Sequence, residues 1–268
     1  MAVKPRKEWN SYEQYIEYLR HLSAYNFTER YVSNKKVLEI GCGNGYGTYN
    51  IAEYAKNIKA IDMSPENIAY CKDQYPKENI DYIVANGKKL PFKENSFDLV
   101  ISFQVIEHLN TQDVNQYLKE VKRVLNKEGK FIVSTPNKKL RLLPFQKPWN
   151  PEHLIEYDRK GFKKLLSKYF DNIQVCGLCT SNEIFQIEYN RVKQSFLNIY
   201  LIKPTMNLLN FILDIFNLKN SVKFNRPNKE IESLNIPKEE LKRFSEKDFK
   251  VNYECQNEFL DFIAICRE

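Results

Sequence analysis

Residues 37–48, Val-Leu-Glu-Ile-Gly-Cys-Gly-Asn-Gly-Tyr-Gly-Thr, decide the fold of this chain. The apolar run at residues 37–40 has the length of a short buried strand. Four glycines at alternate positions follow it, and residues without a Cβ can form a tight turn that lets a ligand approach the backbone. The apolar residues after the turn recur at helical spacing. Strand, glycine turn and helix predict a nucleotide-binding α/β unit whose ligand contacts backbone N–H groups at the helix start.

Two common phosphate-binding patterns do not fit this turn. A dinucleotide site requires glycine at relative positions one, three and six, but the sixth position is Tyr46 counted from Gly41 and Thr48 counted from Gly43. A P-loop requires Gly-Lys followed by Ser or Thr, and no such sequence follows the turn. The turn therefore favours a ligand that needs no phosphate cradle.

Residues 39–45, Glu-Ile-Gly-Cys-Gly-Asn-Gly, resemble motif I of the class I S-adenosylmethionine (SAM) dependent methyltransferases. Phe-Asp-Leu-Val at residues 97–100 resembles motif IV of that family, and Leu-Pro-Phe at residues 90–92 matches it too. The resemblance covers roughly residues 35–178 and 249–268. It implies an α/β, Rossmann-like sheet of seven strands, the last one antiparallel, with helices on both faces and an α-helical insertion before the last strand. The implied cofactor is SAM, which leaves as S-adenosylhomocysteine.

The same resemblance implies which residues bind the cofactor. An acid at Glu39 can balance the cationic groups of SAM, and Gln104 is expected to contact its amino-acid chain. Asp62 follows the second strand and can accept hydrogen bonds from both ribose hydroxyls, although it could instead cap the helix that starts near Pro65. The full set is Glu39, Gly41, Cys42, Gly43, Asp62, Met63, Asn86, Gly87 and Gln104.

The adenine contacts include one departure from the family pattern. Met63 is expected to pack on the adenine face. The family usually has an aspartate at the position of Asn86, where it accepts from the adenine amino group. The Asn86 amide oxygen can still accept that hydrogen bond without the charge, and the Gly87 N–H can serve a ring nitrogen.

Two histidines are candidates for the catalytic base. Glu107 and His108 follow the fourth strand, where an open parallel sheet binds its ligands. His108 could act as a general base oriented by Glu107, or it could hold the loop in place.

The second candidate base is His153, within Asn-Pro-Glu-His-Leu-Ile-Glu at residues 150–156. With Ser-Thr-Pro-Asn before it at residues 134–137, this loop resembles a subgroup frequent among enzymes associated with cell-surface sugars. His153 is the preferred base, with Glu156 beside it, and the alternative is a His–Glu pair that anchors the loop. Trp149 and Tyr157 could offer flat faces to a sugar ring.

These features predict in-line methyl transfer to a hydroxyl of a sugar, glycan or sugar-linked small molecule. Residues 121–175 hold thirteen Lys/Arg and five Asp/Glu, a net charge of +8 within a chain of +7. This excess favours an anionic acceptor, or an RNA methyltransferase as the alternative, unless it only solvates helix faces. A third possibility is a SAM-binding protein without catalysis.

The chain divides into four expected segments. Residues 1–34 form a helical lid, in which Tyr12, Tyr15, His21 and Tyr25 either cover the pocket or pack against the sheet. Residues 35–178 form the SAM-binding core, residues 179–248 a mainly helical insertion or substrate cap, and residues 249–268 the last strands. A broad apolar helical face within 196–218 could pack on the domain, on a second copy in a homodimer, or on a membrane surface or lipid carrier.

Composition indicates the cellular setting and argues against a metal site. Residues 1–10 lack the apolar core of a signal peptide, so we expect a cytoplasmic enzyme. Of six cysteines, Cys176 and Cys179 have the spacing of a metal or redox pair, but no second pair exists. We therefore expect reduced, packed cysteines and no metal.

Overall fold

The computed structural model of the chain describes residues 11–142, 148, 150–197, 205–206, 243–253 and 259–268. One mixed sheet of eight strands forms its centre, in the order β3-β2-β1-β4-β5-β8-β6-β7. The strands are β1 Lys36–Ile40, β2 Asn57–Asp62, β3 Ile80–Val84, β4 Phe97–Phe103, β5 Leu125–Pro136, β6 Asn172–Cys179, β7 Lys250–Asn252 and β8 Asp261–Arg267. Strand β8 pairs antiparallel with both β5 and β6, and β1 to β5 pair parallel with their neighbours.

The predicted Rossmann-like fold is confirmed, but the predicted count of seven strands is one too low. The extra strand is β7, whose three residues pair antiparallel with residues 177–179 at the edge of the sheet. The three residues of β7 are exposed, half-buried and exposed in turn. A strand this short is too short for an alternating hydrophobic pattern to be recognised in the sequence.

Helices cover both faces of the sheet, as the family resemblance implies. Those on one face include α4, and its buried residues join those of β5 and α6 in one apolar cluster. Residues of α1 and α3 join the opposite face of β1 and β2 in a second cluster. The helices are α1 Tyr12–Val32, α2 Tyr46–Ile51, α3 Pro65–Gln74, α4 Thr111–Val124, α5 Lys138–Arg141, α6 Arg159–Leu166 and α7 Asn182–Leu197.

Side-chain caps fix where several helices begin. Ser11 accepts from the Gln14 N–H at the start of α1, and Asn110 accepts from the Asp113 N–H at the start of α4. Such caps satisfy backbone donors that the first helical turn leaves without an intrahelical acceptor.

The insertion before β8 begins with α7, which packs against α1. A buried ion pair joins the two helices, with Arg20 Nη1 3.3 Å from Glu188 Oε2. Most of residues 196–218, including the predicted apolar helical face, lie outside the described residues. No helix in the described part of the chain is long and apolar enough to cross a membrane.

Cys176 and Cys179 lie on β6, three residues apart. Residues at odd separations along a strand project to opposite faces of the sheet, so these two thiols do not converge. Burial raises the pKa of the Cys176 thiol to about 11, which suppresses the reactive thiolate.

A buried carboxyl group joins α1, β1 and α2. Glu39 on β1 is 1% exposed, and its two oxygens accept hydrogen bonds from the Tyr25 and Thr48 hydroxyls. Burial raises the pKa of Glu39 to about 7, although the hydrogen bonds from Thr48 and Tyr25 act in the opposite direction. The charged form is therefore less favourable in the folded protein than in the unfolded chain.

The Glu39→Gln variant should reveal this desolvation through the pH dependence of stability. Below the pKa of the unfolded state, near 4.5, the Glu39 carboxyl is neutral in both states. As the pH rises towards 7, the carboxyl ionises in the unfolded state first, which stabilises the unfolded state relative to the folded state. The free energy of unfolding of the wild type should therefore fall by roughly 3 kcal/mol relative to that of the variant over this range, at about 1.4 kcal/mol per pKa unit. Urea unfolding of both proteins across that range measures it, and a pH-independent difference would contradict the account.

Candidate active site

A cavity of about 640 Å³ lies where the parallel strands β1, β2 and β4 end. Its size falls within the range of about 300–1,000 Å³ typical of small-molecule sites. The glycine turn, the end of β2 and the residues after β3 and β4 line one part of it. Helix α1, the loop at residues 150–153 and Arg191 of α7 contribute to the remaining lining.

The glycine turn needs glycine for its shape. Gly41, Gly43 and Gly45 have φ angles of 80°, 55° and 79°, in the left-handed region that residues with a Cβ avoid. A Cβ on Gly41 would lie only 2.4 Å from Val105 Cγ2. The turn therefore brings its backbone against the cavity at a place where no side chain fits.

The N–H groups of this turn are not presented to a ligand as the sequence predicts. Those of Gly41 and Cys42 donate to the Ile61 carbonyl over 2.8 and 3.0 Å, and that of Gly43 donates to Asp62 Oδ2 over 3.0 Å. The prediction of backbone donors facing the ligand is therefore wrong for these three residues. Their N–H groups instead attach the turn to the end of β2, a contact that single-strand reasoning cannot see.

Asp62 lines the cavity at the end of β2. Its Oδ1 accepts from the Ser64 N–H over 2.9 Å, and Ser64, whose Oγ accepts from the Asn67 N–H, is the N-cap of α3. The capping role is therefore taken by Ser64. The Asp62 carboxylate also accepts from Asn67 Nδ2 over 3.3 Å, so one of its about four acceptor positions remains for a ribose hydroxyl, and that role stays a prediction.

The predicted adenine and methionine contacts also lie at the cavity. Met63 is 66% exposed at its rim, and Asn86 Oδ1 accepts from the Lys88 N–H over 2.9 Å. A Cβ on Gly87 would meet Ile40 Cγ2 at 2.9 Å. Gln104 holds a left-handed φ of 54° and donates through Nε2 to Ser134 Oγ, so its backbone is strained where β4 ends.

This half of the cavity fits SAM. All the predicted cofactor residues line it except Glu39, which lies behind the wall and acts on it through Tyr25 and Thr48. The turn has no room for a Cβ at Gly41. The Asp62 carboxylate, at the end of the neighbouring strand, can accept a further hydrogen bond. A nucleoside with an amino-acid chain matches these features, and the roles of individual residues stay predictions.

The lining of the cavity also includes a histidine, His153, which the buried carboxylate of Glu156 holds in place. His153 Nδ1 lies 2.7 Å from Glu156 Oε1, and the same oxygen lies 3.1 Å from Arg141 Nε. Burial by itself would raise the pKa of Glu156, but the His153 hydrogen bond and the Arg141 charge outweigh it and lower the pKa. Because an ionised carboxylate only accepts, Nδ1 carries the proton and the lone pair of neutral His153 is on Nε2.

His108 is oriented differently from the prediction. Its Nδ1 lies 2.8 Å from the Glu152 carbonyl oxygen, which also leaves the lone pair on Nε2 of the neutral ring. Burial lowers the pKa of His108. The predicted orienting contact from Glu107 is wrong, since the Glu107 carboxyl accepts from the Thr135 hydroxyl instead.

Glu107 anchors the loop that carries His153. Its backbone oxygen accepts from the N–H groups of Leu154 and Ile155 over 2.8 and 3.1 Å. The imidazoles of His108 and His153 then meet edge to face, with centroids 4.9 Å apart. The Glu107 side chain is fully buried, and burial raises its pKa to about 8.

A buried ionic cluster forms the rest of this wall, and the sequence did not predict it. Arg20 Nε lies 3.3 Å from Asp261 Oδ2, and Arg191 Nη2 lies 2.8 Å from Glu188 Oε2. The sequence did contain one signal of this wall, because the cavity-lining residues of α1 recur at helical spacing. They are Glu17, Arg20, His21, Ala24 and Tyr25. Their ion partners come from α7 and β8, far away in sequence.

The predicted lid residues divide into two groups. His21 and Tyr25 line the cavity, and burial lowers the pKa of His21 to about 4. Tyr12 and Tyr15 instead contact Phe244. The Tyr12 ring lies 6.3 Å from the Phe244 ring between centroids, and the Tyr15 hydroxyl donates to the Phe244 carbonyl oxygen.

The predicted sugar-stacking residues receive no support. The ring of Tyr157 packs against Phe162 at 6.0 Å and does not line the cavity, so that prediction is wrong. The structure does not describe Trp149.

Part of the positive charge of residues 121–175 is paired with carboxylates in the described residues. Arg141 is buried against Glu156, and Arg123 pairs with Glu120 at 2.7 Å. Lys160, Lys163 and Lys164 are exposed on α6. Much of this charge therefore solvates helix faces or serves the site already described.

Comparison with known proteins gives the same assignment. Residues 38–133 match the family described as a methyltransferase domain. A probable SAM-dependent methyltransferase of Mycobacterium tuberculosis is 35% identical over 160 residues, covering 59% of this chain and 57% of the relative. Norajmaline N-methyltransferase of Rauvolfia serpentina is 32% identical over 152 residues, covering 55% of this chain and 48% of the relative. The chain thus spans about half the length of these curated relatives.

A solved structure supports the fold across most of the chain. The YcgJ protein from Bacillus subtilis aligns with a TM-score of 0.53 and 16% identity, covering 91% of this chain and 98% of that one. The glycine turn, the strand order and the matched residues lead to one conclusion: this chain carries a methyltransferase domain, similar to that of SAM-dependent methyltransferases.

Proposed function

We propose that this chain transfers the methyl group of SAM to a hydroxyl oxygen of a sugar or sugar-linked small molecule. The observation that carries the proposal is the His153–Glu156 pair, in which His153 Nδ1 lies 2.7 Å from Glu156 Oε1 and His153 lines the cavity. Its geometry supplies a proton acceptor for a hydroxyl, as a base held by a second group does in many enzymes.

The chemistry divides between the cofactor and the chain. SAM supplies a methyl on a sulfonium, and the O–CH₃ bond forms as the S–CH₃ bond breaks with its electron pair moving to sulfur. The chain contributes mainly position. Nε2 of His153 takes the hydroxyl proton, and Glu156 stabilises the imidazolium that results.

The lining of the acceptor end favours a hydroxyl-rich molecule. Glu17, Arg20, His21 and Arg191 line it, and these side chains offer both donors and acceptors. A sugar can form hydrogen bonds with both kinds of group, in addition to the ion pairs that Glu17, Arg20 and Arg191 already form.

An amine acceptor is the nearest rival, because a neutral amine needs no base and norajmaline N-methyltransferase is a relative. RNA receives less support, since two basic side chains of residues 121–175, Arg123 and Arg141, are paired with carboxylates. A SAM-binding protein without catalysis remains as a third alternative, and its only sequence signal is Asn86.

Tritium transfer from SAM tests the reaction and the acceptor together. The purified protein is incubated with S-adenosyl-[methyl-³H]methionine and separated cell fractions containing soluble small molecules, polysaccharide, lipid-linked sugars or RNA. We expect label in a sugar-containing fraction, as an ether that withstands alkali. Label confined to RNA or to amines would refute the sugar proposal, and no transfer into any fraction would favour the SAM-binding alternative.

The His153→Gln variant tests the base. Removing a general base typically lowers the rate by about 100-fold or more, so kcat should fall while the Kd for SAM stays the same. Tyr157→Phe is a matched control, because the Tyr157 ring packs away from the cavity, and it should retain activity. An unchanged kcat in His153→Gln would show that His153 is not the base.

The Asp62→Ala variant tests the cofactor half. Loss of a charged hydrogen-bond acceptor costs about 1.5–3 kcal/mol, so the Kd for SAM should rise by about 10- to 100-fold. Asp81→Ala is the matched control, because Asp81 is an exposed acid on the neighbouring strand paired with Lys59. Calorimetric titration measures both, and equal affinities would refute the ribose role of Asp62.

A further inference from the structure

We propose that Glu107, His108 and His153 bind a divalent first-row transition-metal ion at the acceptor end of the cavity. This inference rests on the proposed methyl transfer to a hydroxyl and deepens it, because the metal would bind the acceptor hydroxyl and Nε2 of His153 would be a metal ligand instead of the base. It also replaces the expectation that the chain has no metal site. Nothing in the sequence spacing alone suggested the three residues as one group, since 45 positions separate His108 from His153.

The three side chains already converge. One ligand atom from each, a carboxylate oxygen and two ring nitrogens, lies within 4.8 Å of the others. Donors around one ion at bonds of about 2.0–2.2 Å stand roughly 3–3.5 Å apart. Small side-chain rotations would close that difference without moving the backbone.

Glu107 carries an independent sign of a missing partner. Its side chain is fully buried, it lines the cavity, and Oε1 has no hydrogen-bond partner in the described structure. Buried carboxylate oxygens nearly always have a partner, because leaving one without costs about 1–3 kcal/mol. A cation between Glu107 and the histidines would satisfy this atom.

Both histidines are held as metal-binding histidines usually are. His108 Nδ1 faces the Glu152 carbonyl oxygen at 2.8 Å, and His153 Nδ1 faces the Glu156 carboxylate at 2.7 Å. Such outer partners fix the ring orientation and keep the lone pair on the other nitrogen. Each ring is therefore prepared to donate through Nε2.

The surroundings also carry an excess of acidic groups. The connected cluster contains five carboxyl groups and three guanidinium groups, and the Asp261 Oδ1 and Glu156 Oε2 atoms also lack hydrogen-bond partners in the described part of the chain. The members are Glu17, Glu107, Glu156, Glu188, Asp261, Arg20, Arg141 and Arg191.

The donor set indicates the kind of metal. Two imidazoles and one carboxylate suit Mn²⁺, Fe²⁺, Co²⁺ or Zn²⁺, whereas Mg²⁺ and Ca²⁺ prefer oxygen donors alone. Three protein ligands leave positions open for an exogenous oxygen. The site therefore fits a reactive metal better than a purely structural one.

With the ion bound, the metal rather than His153 activates the acceptor. The hydroxyl oxygen of the acceptor binds the ion, and its proton leaves to water because the cation lowers the hydroxyl pKa. The metal-bound oxygen forms the O–CH₃ bond while the S–CH₃ bond breaks and its electron pair moves to sulfur. One proton is released, no oxidant is needed, and the metal keeps its charge.

Mn²⁺ binding tests the inference without SAM or an acceptor. Mn²⁺ is added to the full chain from which metals have been removed by chelation, and electron paramagnetic resonance follows the loss of the free-ion signal. We expect one ion per chain, with affinity at least about tenfold weaker in Glu107→Gln and in His153→Gln. Asp81→Asn is the matched control, because it removes an exposed carboxylate that pairs with Lys59 and does not line the cavity.

The thermal midpoint of each variant establishes that it is folded, and His108→Gln, which removes the half-buried third ligand, replaces any variant that is not. No bound Mn²⁺, or affinity equal in wild type, Glu107→Gln and His153→Gln, would overturn the metal site. Metal binding without methyl transfer would refute the proposed function alone. Methyl transfer that needs His153 but survives metal chelation would refute the metal inference alone.

Discussion

The attachment of the glycine turn to the end of β2 is the constraint on which the rest of the site depends. The Ile61 carbonyl accepts from Gly41 and Cys42, and the Asp62 carboxylate accepts from Gly43. These bonds hold neighbouring parallel strands at one level where both end. They satisfy the backbone donors of the turn, so the glycines are needed for their positive φ angles and for close approach rather than for free N–H groups.

Two kinds of structure form the two halves of the cavity. The half assigned to SAM is built from strand ends and short turns of the sheet, so its positions are set by strand register. The acceptor half is built from α1, α7 and the loop at residues 150–156, which buried ion pairs and hydrogen bonds hold in place. Buried ion pairs of this kind contribute little net stability, because the cost of burying each charge offsets the attraction between the partners.

The sequence predicted the sheet and the cofactor half because both depend on local patterns. Residues 37–48 contain a strand, a turn and a helix start within twelve positions, and the remaining cofactor residues each follow a strand. The acceptor half was only partly predictable. The His153–Glu156 contact spans three residues and was expected, whereas the Glu152 carbonyl beside His108 and the Asp261 carboxylate beside Arg20 come from distant segments. No periodicity records such contacts, and the three-residue strand β7 escaped for the same reason.

A crystal structure of the chain with S-adenosylhomocysteine tests the central claim most directly. The account predicts the ribose hydroxyls within about 3 Å of the Asp62 carboxylate, the adenine between Met63 and Asn86, and the sulfur on the side of the cavity that faces His108 and His153. A ribose bound away from Asp62, or a sulfur pointing away from the two histidines, would contradict the division of the cavity into a cofactor half and an acceptor half.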